Sequence, residues 1–423
     1  MQADLIIHNA AQLVTCASPN GPKRGAAMRD VGLIPDGALV INYGQIVAVG
    51  PSKSILANYT ADEKLDATGK VVCPGFVDPH THLVYGGDRA QEFELRIQGK
   101  SYLEILQAGG GILDTVRQTR AASLDQLVAT ARARLDAMLA LGTTTVEAKS
   151  GYGLDLATEL KQLQAVEVLD ADHAIDLAPT FLGAHAVPEK YRGRVDDYVA
   201  VVIHDMLPAV MAWYGKSRFL GKGMPLFIDV FCEQNAFTVE QARQVLTVGQ
   251  RMGMEVKAHV DEFNALGGVA MALDLGAVTV DHLDVTGEAD IQRLAQSNTI
   301  GVILPAVNFN LGSTHFANAR AMLDANAVIA LSTDLNPGSA PCLSMPFVMA
   351  LACRYQKLLP AEALNASTIN AAHAIGLGSQ IGSLEVGKQA DVLLVNAPDY
   401  RHLAYQFGGN LVERVIKRGQ VVV

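Results

Sequence analysis

Two imidazoles stand two residues apart in the run Gly75-Phe76-Val77-Asp78-Pro79-His80-Thr81-His82. Side chains alternate faces along a strand, so His80 and His82 are expected to project the same way from the end of an apolar one. Paired neutral imidazoles are half of a transition-metal site. Further along, His259 closes Val256-Lys257-Ala258-His259, His282 closes Val278-Thr279-Val280-Asp281-His282, and Asp334 closes Leu331-Ser332-Thr333-Asp334. Three imidazoles and a carboxylate suit Zn²⁺ or Fe and leave a position for water, whose pKa such an ion brings towards ~7. The chemistry this allows is activation of a metal-bound water. His282 taken alone reads equally well as a core histidine bonded to backbone.

These residues need a scaffold that points several strand ends at one place. Eight apolar runs end in polar residues and are each followed by a helical pattern: Gly75 to His82, Thr143 to Lys149, Asp176 to His185, Leu226 to Glu233, Glu255 to His259, Ala277 to His282, Ile300 to Pro305 and Val328 to Asp334. Short apolar strands alternating with helices imply a parallel sheet buried on both faces, and eight such units imply an α/β fold of (β/α)₈ barrel type. Its chemistry belongs at the C-terminal ends of the strands, where the histidines fall, on the first, fifth and sixth, with Asp334 after the eighth. The stretch Pro188 to Pro225 is longer than one helix needs and reads as a helical insertion over the barrel.

Both ends of the chain are different in texture. Leu5-Ile6-Ile7, Gly37 to Ile41 and Gln45 to Val49, with Asn42-Tyr43-Gly44 as a hairpin turn, read as half-buried antiparallel strands. Gly387 to Val395 and Val412 to Val423 read the same way. We therefore expect residues 1–70 and 380–423 to form one small, β-sandwich-like composite domain, and residues 71–379 to form the catalytic barrel.

Composition excludes several alternatives. The 423 residues are 50% hydrophobic and 18% charged, with net charge −10 and no Lys/Arg block, which argues against nucleic acid or an anionic membrane as partner. No apolar run reaches membrane-spanning length and Met1-Gln2-Ala3-Asp4 opens without a basic leader, so a cytoplasmic location is expected. The five cysteines are odd in number and lack C-x-x-C spacing, which leaves buried thiols as the expectation. The expected partners are a small-molecule substrate and, as a homodimer, a second copy of the chain.

The ligand pattern resembles the amidohydrolase superfamily, whose members carry His-x-His on the first barrel strand, histidines after the fifth and sixth, and Asp after the eighth. The resemblance implies metal ligation by His80, His82, His259 and Asp334. Many relatives bind two metals through a lysine ending the fourth strand, but here that strand ends Cys232-Glu233 and Lys149 ends the second. One Zn²⁺ or Fe ion per chain is expected, with Lys149 hydrogen-bonded or ion-paired. Glu147 to Gly153, Gly183 to Pro188, His259-Val260-Asp261-Glu262-Phe263 and Ser332 to Gly338 narrow the resemblance to the hydrolases of histidine degradation that open 4-imidazolone-5-propanoate to N-formimino-L-glutamate. That likeness spans nearly the whole chain, leaving Pro19 to Val31 as an unconstrained loop.

Ring opening needs a nucleophile, a polarised carbonyl and a proton for the departing nitrogen. Asp334 can take a proton from the water, and Glu262, three residues past His259, can shuttle one to the ring nitrogen. His282 and, by resemblance, His185 would bond the carbonyl or ring. An anionic tail on the substrate asks for a cation, and Arg89, seven residues beyond His82, offers a planar fork. The resemblance adds Tyr102 and Tyr152 along ring and tail, while Asn336, Gly338 and Ser339 follow the eighth strand, where Gly permits the close backbone approach that binding of a carboxylate by amide N–H groups requires. Rival readings are a related deaminase, a dinuclear cyclic amidase and a barrel without catalysis.

Overall fold

A computed structural model describes residues 2–100, 104 and 110–423. The eight central runs form one parallel sheet in chain order: β6 (Phe76–Asp78), β7 (Thr143–Lys149), β8 (Asp176–Ala184), β9 (Phe227–Cys232), β10 (Glu255–Val260), β11 (Thr279–His282), β12 (Ile300–Ile303) and β13 (Val328–Leu331). Every residue of β7 and β8 is buried, as expected where a helical layer covers one face of a sheet and a packed interior the other.

The first and last strands close the barrel without a regular ladder. β6 stops at Asp78, short of the expected His82, because Pro79 has no N–H to continue it and Asp78 turns its carboxylate to other donors. Asp78 accepts from the Ser332 hydroxyl, from Thr333 N at 3.1 Å and from Thr333 Oγ1 at 2.6 Å. Beyond Pro79, Thr81 bridges in parallel to Leu335, His82 N donates to Leu335 O at 2.8 Å, and Lys149 N donates to Thr81 O at 2.9 Å. The seam thus runs between the segment carrying His80 and His82 and the segment carrying Asp334.

The stretch Pro188 to Pro225 is helical, with helices Val195–Val201, Leu207–Tyr214 and Arg218–Gly221. It is no addition to the barrel, since it supplies the helical layer between β8 and β9. Tyr198 fixes it to the barrel by donating from Oη to Gly183 O at 2.7 Å.

The two ends of the chain build a second sheet from β1 (Gln2–Val14), β2 (Leu33–Asn42), β3 (Gln45–Pro51), β4 (Thr60–Asp66), β5 (Val71–Pro74), β14 (Val392–Val395), β15 (Val412–Lys417) and β16 (Gln420–Val421). Tyr43 and Gly44, both at positive φ, make the β2–β3 turn. Strand alternation sorts the core: Leu5, Ile7, Leu39, Ile41, Val392 and Leu394 pack on one face, and Ile6, Ala38 and Val40 pack on the other with Ile55 of the helix Ser52–Asn58. The sheet includes Val71–Pro74, one strand past residue 70, paired between β1 and β14. Only Gly75 separates this strand from β6.

Among the described residues no helix is long and apolar enough to cross a membrane. All five cysteines are free, three of them buried.

Candidate active site

At the C-terminal ends of the barrel strands the predicted ligands come together. Donor atoms of His80, His82 and His259 lie within 4.8 Å of one another, as do those of His80, His282 and Asp334. His80 Nε2 stands 3.3 Å and His82 Nε2 3.4 Å from Asp334 Oδ1, and His82 Nε2 is 3.4 Å from His259 Nε2. His80 Nε2 and Asp334 Oδ1 are buried without a hydrogen-bond partner. Inward lone pairs on a compact N/O set match what a borderline cation such as Zn²⁺ or Fe requires. His282 belongs to the same cluster as closely as Asp334 does.

Two aspartates hold the histidines in place. Asp281 Oδ2 lies 2.6 Å from His80 Nδ1, and Asp229 Oδ2 lies 2.9 Å from His259 Nδ1. A carboxylate on Nδ1 selects the tautomer whose Nε2 carries a lone pair, and it also fixes the ring plane. Lys149, fully buried, pairs with Glu147 at 2.7 Å and Asp229 at 2.8 Å and lies 3.8 Å from Asp281. It is therefore an ion-paired support beneath the cluster. No motif marks Asp229 and Asp281 in the sequence, although an acid inside an otherwise apolar buried strand, as in Phe227-Ile228-Asp229-Val230-Phe231, is itself a signal.

Backbone strain collects here as well. Asp261, His282, Leu283 and Asp334 all have positive φ, a conformation that non-glycine residues rarely hold outside sites that need it. Nothing in residue type marks these positions in advance.

A cavity of about 700 Å³ opens above the cluster. His82, His259, His282 and Asp334 line it, together with Arg89, Tyr152, His185, Glu262, Asn336, Gly338 and Ser339. Tyr102 lies outside the described residues. His185 stacks on His82 with centroids 4.7 Å apart, and its Nδ1 is 3.0 Å from Gly151 O. Burial holds the His185 imidazole well below its usual pKa, hence neutral. Because a carbonyl only accepts, the proton of this neutral ring sits on Nδ1, and Nε2 is an acceptor.

The carboxylates of the cavity are pushed apart in charge. Burial, then the nearby Asp334 and Asp284 charges, raises Glu262 well above the usual carboxylate range. Burial also works against Asp334, but His80 and His82 outweigh it and hold that group well below the usual range. Glu262 Oε2 lies 3.7 Å from His282 Nε2.

Arg89 is present in the cavity but already engaged. Its Nε and Nη2 bind Glu92 at 2.8 and 2.5 Å, and Glu92 also accepts from Gly111 N at 2.8 Å. Nearby, Arg96 Nη2 donates to Gly338 O at 3.0 Å. The Gly338 and Ser339 amides, expected to face a ligand, donate instead to Asn336 Oδ1 at 2.8 and 2.7 Å. What Gly338 permits is the approach of the arginine, since a Cβ there would meet Arg89 Nη1 at 2.0 Å.

Comparison with known proteins places this geometry. The Amidohydrolase family pattern matches residues 231–422. An imidazolonepropionase from Chloroflexus aggregans is 56% identical over 420 residues, covering 99% of this chain and 98% of its own. Another from Herpetosiphon aurantiacus is 51% identical over 420 residues, covering 99% and 97%. This chain belongs to the imidazolonepropionase family. Solved structures support the fold: a zinc-bound adenosine deaminase from Xanthomonas campestris superposes with TM-score 0.71 at 21% identity, covering 99% of this chain and 93% of its own. The zinc complex of atrazine chlorohydrolase from Arthrobacter aurescens gives 0.66 at 17%, covering 99% and 95%. Each string that carried the resemblance to the imidazolonepropionases contributes to the cavity wall, through Tyr152, His185, Glu262 and Asp334.

Proposed function

We propose that this chain hydrolyses the cyclic amide of 4-imidazolone-5-propanoate to N-formimino-L-glutamate, with one Zn²⁺ or Fe ion held by His80, His82, His259 and Asp334. The observation that carries this reading is that one cavity is lined both by the histidine–aspartate cluster and by the guanidiniums of Arg89 and Arg96. Such an ion, when bound, supplies an acidified water and an electrophile for the carbonyl.

The residues divide the proton work. Two carboxyls whose surroundings drive their pKa values in opposite directions are the expected acid and base of a hydrolytic site. Asp334, held ionised, accepts the proton of the attacking water. Glu262, pushed towards its neutral form by burial and by the charge of Asp334, delivers a proton to the departing ring nitrogen. His185 presents Nε2 as an acceptor and so suits a ring N–H; the alternative, a bond to the carbonyl, would need a proton that the ring carries on Nδ1. His282, beside Glu262, is left to bond the carbonyl oxygen.

Charge selects the tail. Arg89 and Arg96 oppose the single Glu92 carboxylate, which leaves one positive charge for the propionate. Arg89 keeps Nη1 clear of Glu92 for that contact. Tyr152, buried against His82 and His185, walls the ring.

The test combines elemental analysis of protein purified without added metal with turnover of freshly made imidazolonepropionate. One equivalent of metal and substrate turnover are expected. Two equivalents, or activity without metal, would reject the mononuclear assignment, and metal without turnover would reject the substrate.

A further inference from the structure

Glu233, the residue after β9, is 4% exposed and borders the cavity beside Glu262. Its carboxylate accepts from four N–H groups. Oε1 takes Gln234 N at 2.7 Å and Asn264 Nδ2 at 2.9 Å, and Oε2 takes Phe263 N at 2.9 Å and Asn264 N at 3.1 Å. Four donors fill the roughly four lone-pair sites of a carboxylate, so Glu233 has no capacity left for a substrate. The charge is required too, because an amide in its place would turn an NH₂ towards two other N–H groups.

What these bonds hold is the segment that carries Glu262. The chain leaves β10 through Asp261 at φ 55, and Thr286 Oγ1 anchors Asp261 Oδ2 at 2.9 Å. Phe263 and Asn264 are anchored by Glu233 on the other side. Glu262 is the one residue between the two anchors, and its carboxyl faces His282. A proton carrier on an irregular segment gains its accuracy from such fastening, and a displacement of about 1 Å can cost up to ~10²-fold in rate.

We propose that Glu233 is a positioning residue, whose carboxylate clamps Phe263 and Asn264 so that the carboxyl of Glu262 is held over the reacting ring. This rests on the reading of Glu262 as the proton carrier. The test uses metal-loaded protein and four variants: Glu233→Gln, Asn264→Ala, Glu262→Gln and the double variant Glu233→Gln/Glu262→Gln. The clamp predicts faster hydrogen exchange at the Phe263 and Asn264 amides in substrate-free Glu233→Gln. It also predicts a kcat loss of about ten- to a hundredfold, KM within about threefold and unchanged metal content. Because Glu233 acts through Glu262, the double variant should be no slower than Glu262→Gln alone. Asn264→Ala removes only the side-chain bond, leaves the carboxylate and its three backbone bonds, and should show a smaller loss of the same kind; it carries the test if Glu233→Gln does not fold. Unchanged amide exchange, additive losses in the double variant, or a raised KM at normal kcat would each overturn the proposal. Near-normal turnover by Glu262→Gln would remove the reading beneath it, and exchange at the two amides would still report whether the clamp exists.

Discussion

At the N-terminal end of the barrel strands, Asp176 meets Lys417 at 2.8 Å and also Arg418, and Lys417 continues to Asp391 at 2.6 Å. Every charge in that group has an opposite partner. At the C-terminal end, where the side chains are more deeply buried, His80 Nε2, His282 Nδ1 and Asp334 Oδ1 stand without hydrogen-bond partners. An unpaired buried polar atom costs about 1–3 kcal/mol, so a fold retains several together only where something else completes them. The paired end joins the barrel to the terminal sheet, and the unpaired end borders the cavity.

The sharpest way to test that contrast is at Glu262, which touches only the unpaired end. Glu262→Gln should retain metal and fold while losing roughly two to four orders of magnitude in turnover. Normal turnover would move the proton transfer to Asp334 or His282. Next in size is Arg89→Met, expected to cost about 2–5 kcal/mol in kcat/KM on imidazolonepropionate, chiefly through KM. A ring analogue lacking the carboxylate should be far less affected, and an equal loss on both compounds would refute the tail contact.

Asp229 connects the two styles of burial, because it pairs with Lys149 on one side and orients His259 on the other. Asp229→Asn should lower metal affinity roughly ten- to a hundredfold, measured by competition with a chelator. Unchanged affinity would make Asp229 a packing residue. The smallest effect on activity is expected at the paired end: Asp176→Asn should leave kcat per folded molecule unchanged, while costing about 1.5–3 kcal/mol of stability. Burial opposes the charge on Asp176, but Lys417 and Arg418 prevail and hold its carboxyl well below the usual range. Its folded pKa therefore lies under the unfolded value of about 3.9, and the stabilisation is present above that pH and lost as pH falls through the folded value. Denaturation curves of the two proteins should differ at pH 7 and converge in acid. A constant gap, or a fall in kcat, would break the distinction between the two ends.

The sequence carried the barrel because parallel strands buried on both faces are mostly apolar, and it carried the metal candidates because each stands where such a run turns polar. It carried less of what surrounds them. The alternation that predicts a strand through His80 and His82 does not show that Pro79 interrupts the ladder before them and that tertiary pairing of Thr81 and Leu335 restores their direction. The partner of Arg89 could not be read: Glu92 is its neighbour at three residues' distance, yet only the folded helix and the Gly111 amide show that the two form one unit. The role of Gly338 came out differently for the same reason, since an absent Cβ marks a close approach without naming what approaches.

The placement of β5 also shapes how the protein is made. This strand leads through Gly75 into the segment bearing His80, and one of its edges pairs with β14, which begins at Val392. A ribosome therefore releases most of the barrel while that edge, in the apolar sequence Val71-Val72-Cys73, has no partner. An open apolar strand edge is a template for aggregation during synthesis. Truncations that remove the last strands would recreate that nascent condition permanently, and they should yield insoluble chains although every residue of the active site is present.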